Sequence, residues 1–292
     1  MTKKPLQRLS EFAAEVRFTG SKYLVVEGRR DRGFFTQWFA GLEFDGVARP
    51  TVVAVGGLEI GAGDLSSLGL NDGERSRVVF VAVFADAEKL DLVRCVADRD
   101  AGHDLSRFMA STLLWTDFPA LESYGFEPAV LDALNHLFFG DRLPCGEKLV
   151  ALMSPMLLEL YAVRMHNEHM PRPDLSKAVS MKKGQFRFHV ASAVPPAIAP
   201  MVSTYTRPTF ADARSHSYGH DIGALLFVLF GNVVRTQVGI KDQDILEDML
   251  RAAFLMTADL KALPLFREIA DWAALVPNAP PYLNKQSNSG VR

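Results

Sequence analysis

Between residues 22 and 117, short β-rich runs alternate with helical stretches, and this alternation restricts the fold more than any other feature of the chain. Strands separated by a dozen or more residues of helical pattern pair in parallel, with the helices laid on the sheet faces. Lys22–Val26 is the first predicted strand, and Asp31–Phe39 follows as a short helix. Thr51–Val55, ending at Gly56-Gly57, is the second strand, Leu92–Ala97 the third and Thr112–Trp115 the fourth. The run VVFVAVFA at Val78–Ala85 has strand propensity. It lies, however, in Ser76–Lys89, the only stretch able to cross over between the second and third strands. A buried helix is therefore expected there, and the helix-favouring ADAEK that closes the run agrees.

Beyond Pro128 the pattern turns mainly helical. Ala129–Phe139, Glu147–Arg164, His220–Val234, Asp242–Phe254 and Leu263–Leu275 carry apolar residues at helical spacing. Pro155 is expected to kink or split the second of these. A Pro-rich stretch between Pro171 and Ser217 is interrupted by a predicted strand at Gln185–Val190. The expected organisation is an α/β domain over 1–127, a mainly helical region over 128–284 and a polar, disordered tail over 285–292. Apolar faces at Leu225–Val234 and Met249–Met256 suit either a helical core or a docking surface.

Composition narrows the function classes. With 48% hydrophobic and 23% charged residues over 292 positions, wholesale disorder is excluded and a large core is possible. A formal net charge of −2 excludes a generally basic nucleic-acid coat protein but leaves room for a local basic groove. The longest unbroken apolar runs, Val78–Ala85 and Ala224–Phe230, fall far short of the roughly 20 residues that span a bilayer. Gln7–Glu15 mixes charge with apolar residues where a secretory signal needs an apolar core. Two cysteines, Cys95 and Cys145, cannot build a disulfide framework or a four-thiolate zinc site. A cytoplasmic protein with no membrane association is expected, with Cys95 buried as a small apolar residue.

Chemistry concentrates in the first half as carboxylates at strand ends. Glu27-Gly28 follows the first strand, and Asp31 comes four residues after Glu27 at the start of a helix. Asp98 and Asp100 (ADRDAG) end the third strand, where residues two apart share a face. Ligands of open parallel sheets bind at the carboxyl ends of the strands, and Glu27 and Asp98/Asp100 meet there if their strands are neighbours. Clustered carboxylates raise one another's pKa, a cost that a divalent cation removes; all-oxygen ligands suit Mg2+ or Mn2+. Such a site points to metal-assisted phosphoryl chemistry. Acidic residues at strand ends also serve as turn formers and helix caps, and Asp31 has the position for a cap.

The EGRRD segment (Glu27, Gly28, Asp31), the DRD segment (Asp98, Asp100) and TDFPALESYGF (Thr116–Phe126) together resemble a TOPRIM domain of the OLD-like branch. That branch includes effectors of bacterial anti-phage systems. Gly56-Gly57 resembles the family's GG after the second strand, and GHDIGALL (Gly219–Leu226) resembles a segment near the end of the branch. The resemblance implies a TOPRIM-like parallel sheet flanked by helices, and an acidic Mg2+ site made by Glu27, Asp98, Asp100 and Glu122. It implies a nuclease, similar to the toxic effector of the PARIS defence system, that cleaves RNA such as tRNA, with DNA as the alternative. No GxxxxGK[ST] occurs, so the ATPase half of OLD nucleases is missing. Family members without it depend on a separate ATPase of the ABC or AAA class, which restrains the effector until release; a homodimer is expected afterwards. Two other classes compete: a non-catalytic TOPRIM-like scaffold for an ATPase, and a primase- or topoisomerase-like chemistry. The last is disfavoured because the helical remainder has no room for a strand-passage domain.

Further residues have both a functional and an ordinary reading. Arg29, Arg30 and Arg32 flank the acidic motif and suit phosphate oxygens, or else a solvated helix turn. Lys182 and Lys183, with Arg187 and interleaved Phe186 and Phe188, suit a nucleic-acid backbone, or else an exposed hairpin. His166/His169 and His216/His220 have metal-ligand spacing on a helix, but surface or capping roles are expected because no Cys or HExxH pattern supports them.

Overall fold

Tyr23–Val26 (β2) is buried at all four residues, the unbroken apolar run of a strand covered on both faces. It lies in a four-stranded, all-parallel sheet with Thr51–Ala54 (β3), Val93–Ala97 (β5) and Leu113–Trp115 (β6), in the order β3-β2-β5-β6. The computed structural model describes residues 5–44, 46–101, 108–167 and 170–276. It divides into two compact units, one of residues 1–97, 106–115 and 260–292, the other of 98–105 and 116–259. The first is the mixed α/β unit with helices flanking parallel strands.

Its elements run Gln7–Arg8 (β1), Leu9–Thr19 (α1), β2, Arg29–Ala40 (α2), β3, Leu58–Glu59 (β4), Ala62–Ser67 (α3), Glu74–Ala87 (α4), β5 and β6. The two residues of β1 pair in parallel with β4. The VVFVAVFA run is helix, as the crossover argument requires. Val78, Val81, Ala82 and Ala85 of α4 are wholly buried at helical spacing. They join Phe12 and Val16 of α1 in one core with Tyr23, Val25, Val93 and Cys95. Leu24 and Val26 alternate to the opposite face of β2.

The helix α1 has no counterpart among the predicted elements, although Leu9, Phe12, Ala13 and Val16 carry the helical spacing that marks it. A second aromatic group joins α2 to a helix from the other end of the chain. Trp38 lies edge-on to Phe266 at 5.1 Å, and Phe35 stacks on it at 5.9 Å. The buried Lys22 ammonium donates to the Ala273 carbonyl at 2.8 Å and to the Leu275 carbonyl.

The second unit contains Pro128–Leu134 (α5), Gly146–His166 (α6), Leu175–Ala178 (α7), the antiparallel hairpin Val179–Lys182 (β7) and Gln185–Phe188 (β8), Gly219–Leu229 (α8) and Gln243–Thr257 (α9). Pro264–Ala274 (α10) belongs to the first unit and carries Phe266 and Ala273. The expected boundary at 127/128 therefore differs from the observed division. Aromatic packing and the Lys22 bonds draw α10 into the strand unit, while the chain passes into the second unit directly after β5. Pro155 does not split α6, which runs unbroken for 21 residues, because an exposed proline on a solvated flank needs no buried partner for the carbonyl it leaves. By length and composition alone α6 is apolar enough to cross a membrane. Leu149, Met153, Leu157 and Leu160 are buried along it. The apolar faces of α8 and α9 are likewise core: Ile222, Leu225, Leu246 and Leu250 are at most 1% exposed. The tail at 285–292 and His169 lie outside the described residues.

Candidate functional site

At the end of β2 the chain leaves the sheet through Glu27 and Gly28 into α2. The Asp31 carboxylate accepts the Gly28 N–H at 2.9 Å, so the capping role foreseen for Asp31 is the one it has. Arg29, Arg30 and Arg32 are exposed on the first turn. Cations there oppose the positive end of the helix dipole, and Asp31 offsets them. A residue missed by sequence reasoning stands beside them. A Cβ at Gly28 would lie 3.4 Å from Asp31 Oδ2 and 3.6 Å from Glu74 Oε2. Burial, then the negative charge of Asp31, pushes the Glu74 carboxyl above the usual carboxylate range. Glu74 is the first residue of α4, and no motif marks it.

The strand adjacency foreseen in the sequence is present, since β2 and β5 are hydrogen-bonded neighbours; in the sequence Glu27 and Asp98 are the residues that follow them. A second expectation fails. Asp98 and Asp100 do not share a strand face, because β5 ends at Ala97 and Asp100 has a left-handed backbone, φ +53°. Asp tolerates that conformation better than most side chains.

Within the second unit the DRD segment is braced by Thr116–Pro119. Arg99 N–H donates to Thr116 Oγ1 at 2.9 Å, and Asp100 N–H to the Pro119 carbonyl at 2.9 Å. Thr116 Oγ1 in turn donates to the Phe118 carbonyl at 2.6 Å. Burial, then Asp100, drives the Tyr218 hydroxyl far above its normal range, with Asp98 and Asp221 adding to the effect. The Tyr218 ring lies 4.2 Å from the Arg164 guanidinium, which grips Asp221 with two bonds of 2.9 and 2.8 Å. Desolvation opposes the Arg164 charge, but Asp221 outweighs it and holds Arg164 above its ordinary value. Arg164, Tyr218 and Asp221 were not foreseen; only the GHDIGALL resemblance touches one of them.

Glu122, on the 3₁₀ turn Leu121–Gly125, is 5% exposed and ion-paired with Arg251 of α9. A Cβ at Gly219 would clash with its carboxylate, so a larger residue at the start of α8 would displace Glu122. The setting suits Glu122 to a supporting role. Of the paired histidines, His166 and His220 are exposed, as the surface reading expects, and His216 is the exception. His216 is buried, bonded through Nε2 to Ser154 Oγ at 3.0 Å, and burial lowers its pKa. His220 Nδ1 meets the fully buried Glu247 carboxylate at 2.9 Å, and that bond raises its pKa. His166 stacks on Tyr205 at 4.4 Å. Cys95 is wholly buried with its thiol pKa pushed up, as an inert core residue should be.

Among the described residues, no three His, Cys, Asp or Glu side chains converge as a ready-made metal cage. Mg2+ does not need one, since it takes one or two carboxylates and completes its shell with water and phosphate oxygens. The donors that follow β2 and β5 are all carboxylates, the hard oxygen set this ion takes. No protein-family model matches the chain, and no curated protein matches it.

Proposed function

We propose that this chain is a Mg2+- or Mn2+-dependent TOPRIM-like nuclease, an effector of anti-phage defence that cleaves RNA such as tRNA. The observation that supports it is the strand order, with β2 and β5 adjacent and followed directly by Glu27 and Asp98. In this reading Glu27, Asp98 and Asp100 hold the cation, and Glu27 can also take the proton of an attacking water. A divalent cation there supplies Lewis-acid stabilisation of the charge that develops on a phosphodiester. Glu122, buried against Arg251, supports the loop that leads from Thr116, and the exposed Arg29, Arg30 and Arg32 engage phosphate oxygens. Restraint by a separate ABC- or AAA-class ATPase, and dimerisation on release, follow from the resemblance alone.

The test is incubation of purified protein with Mg2+ or Mn2+ and tRNA, mRNA and DNA. Cleavage should be lost in Glu27→Ala and in Asp98→Asn/Asp100→Asn, with folding retained and Mn2+ binding at least tenfold weaker, about 1.4 kcal/mol. Full activity in these variants defeats the assignment. A second reading is a non-catalytic TOPRIM-like scaffold for an ATPase, in which the strand-end carboxylates serve as caps and turn formers, as Asp31 does for the Gly28 N–H. It predicts no cleavage of any substrate and a stable complex with the ATPase in size-exclusion chromatography.

A further inference from the structure

The hairpin β7–β8 separates its side chains by chemistry. Its register pairs Val179 with Phe188, Ser180 with Arg187, Met181 with Phe186, and Lys182 with Gln185. Alternation therefore puts Val179, Met181, Phe186 and Phe188 on one face, and Ser180, Lys182, Gln185 and Arg187 on the other. The first face is anchored, with Phe186 edge-on to Phe230 at 6.3 Å and half-buried. All four residues of the second face are exposed. Lys183 and Gly184 form the turn, both with positive φ (52° and 75°), which extends the cationic edge around the tip.

This face has no counter-charge of its own. No Asp or Glu occurs between Asp174 and Asp212, and Asp174 is bridged to Lys177 at 2.8 Å. Lys182, Lys183 and Arg187 make no ion pair with any described residue. Like charges gathered on a small ribbon, in a chain of net charge −2, carry an electrostatic cost that a polyanion relieves. Lys182 and Arg187 are diagonal cross-strand neighbours, about 7–8 Å apart, and Ser180 and Gln185 add neutral hydrogen-bonding groups between them.

We propose that this face binds the phosphate backbone of a single strand of nucleic acid through Lys182, Lys183 and Arg187, without reading its sequence. A lipid surface fits less well, because the hairpin's aromatic side chains are turned to the other face and cannot insert beside the cations. An acidic protein fits less well because the face offers no apolar centre. The proposal does not depend on the metal chemistry above, and measuring binding in EDTA keeps the two apart.

The experiment is fluorescence anisotropy of the full chain with labelled single-stranded RNA and single-stranded DNA, across a salt series with EDTA present. Lys182→Gln/Lys183→Gln/Arg187→Gln should weaken binding at least tenfold. It should also flatten the slope of log K against log salt by about 2, from ~0.7 per lost phosphate contact. Met181→Ala, on the opposite face, should leave both quantities unchanged. If the triple variant loses its circular dichroism melt, Lys183→Gln and Arg187→Gln singly should each reduce the slope by about 0.7. An unaltered slope, or binding to phosphatidylserine vesicles or polyglutamate as tight as to RNA, overturns the proposal.

Discussion

Two ion pairs of the second unit show how burial sets the worth of a charge. Arg164 and Asp221 are 12% and 1% exposed and doubly bonded, so removing one partner leaves a buried charge uncompensated. Arg164→Leu should cost about 3–5 kcal/mol in urea unfolding, while Arg164→Leu with Asp221→Leu should cost clearly less. Equal losses would mean that the pair is not desolvated. His220 meets Glu247 from a half-exposed position, and Arg172 holds the same carboxylate at 2.9 Å, so losing the imidazole does not strand Glu247. Its contribution is about 0.5–1 kcal/mol after solvent screening. Because the His220 pKa is raised, that stability is present in full below the unfolded value of about 6.5 and disappears as pH climbs through the folded value. The melting-temperature gap between wild type and His220→Gln should therefore be widest near pH 6 and close on the alkaline side. A gap that widens with pH contradicts this account.

Helix α6 carries its proline without breaking. The missing N–H at Pro155 leaves the carbonyl of Ala151 without its helical donor, and both residues are exposed, so water can satisfy it. Pro155→Ala should then raise the unfolding free energy in urea titration by up to about 3 kcal/mol, the penalty of an interior proline. A drop would show that the proline ring itself contributes to packing. Helix α4 makes the complementary point. Its β-branched run would suit a strand, yet topology requires a crossover there, and burial of Val78, Val81, Ala82 and Ala85 outweighs local propensity.

At the scale of the molecule, the strand unit depends on the far end of the chain. Phe266 of α10 packs against Phe34, Phe35 and Trp38 and is wholly buried. Phe266→Ala should cost about 3–5 kcal/mol in urea titration, although it lies outside the segment that carries the sheet. A loss below 1 kcal/mol, on the order of a surface change, would detach α10 from that unit. The four parallel strands, the helical crossover at α4 and the acidic residues after β2 and β5 were legible in the sequence alone. Each depends on short-range periodicity, strand length or the residue next to a strand end. The role of Asp31 was half legible, because a cap and a ligand use the same residue at the same place. Only tertiary structure could decide the rest. Lys22 and Ala273 are 251 residues apart, Glu122 is paired with Arg251, and Arg164 is locked to Asp221. No local pattern announces a contact between distant residues; it exists because burying a charge or an aromatic ring requires a partner, and the fold determines which partner is in reach.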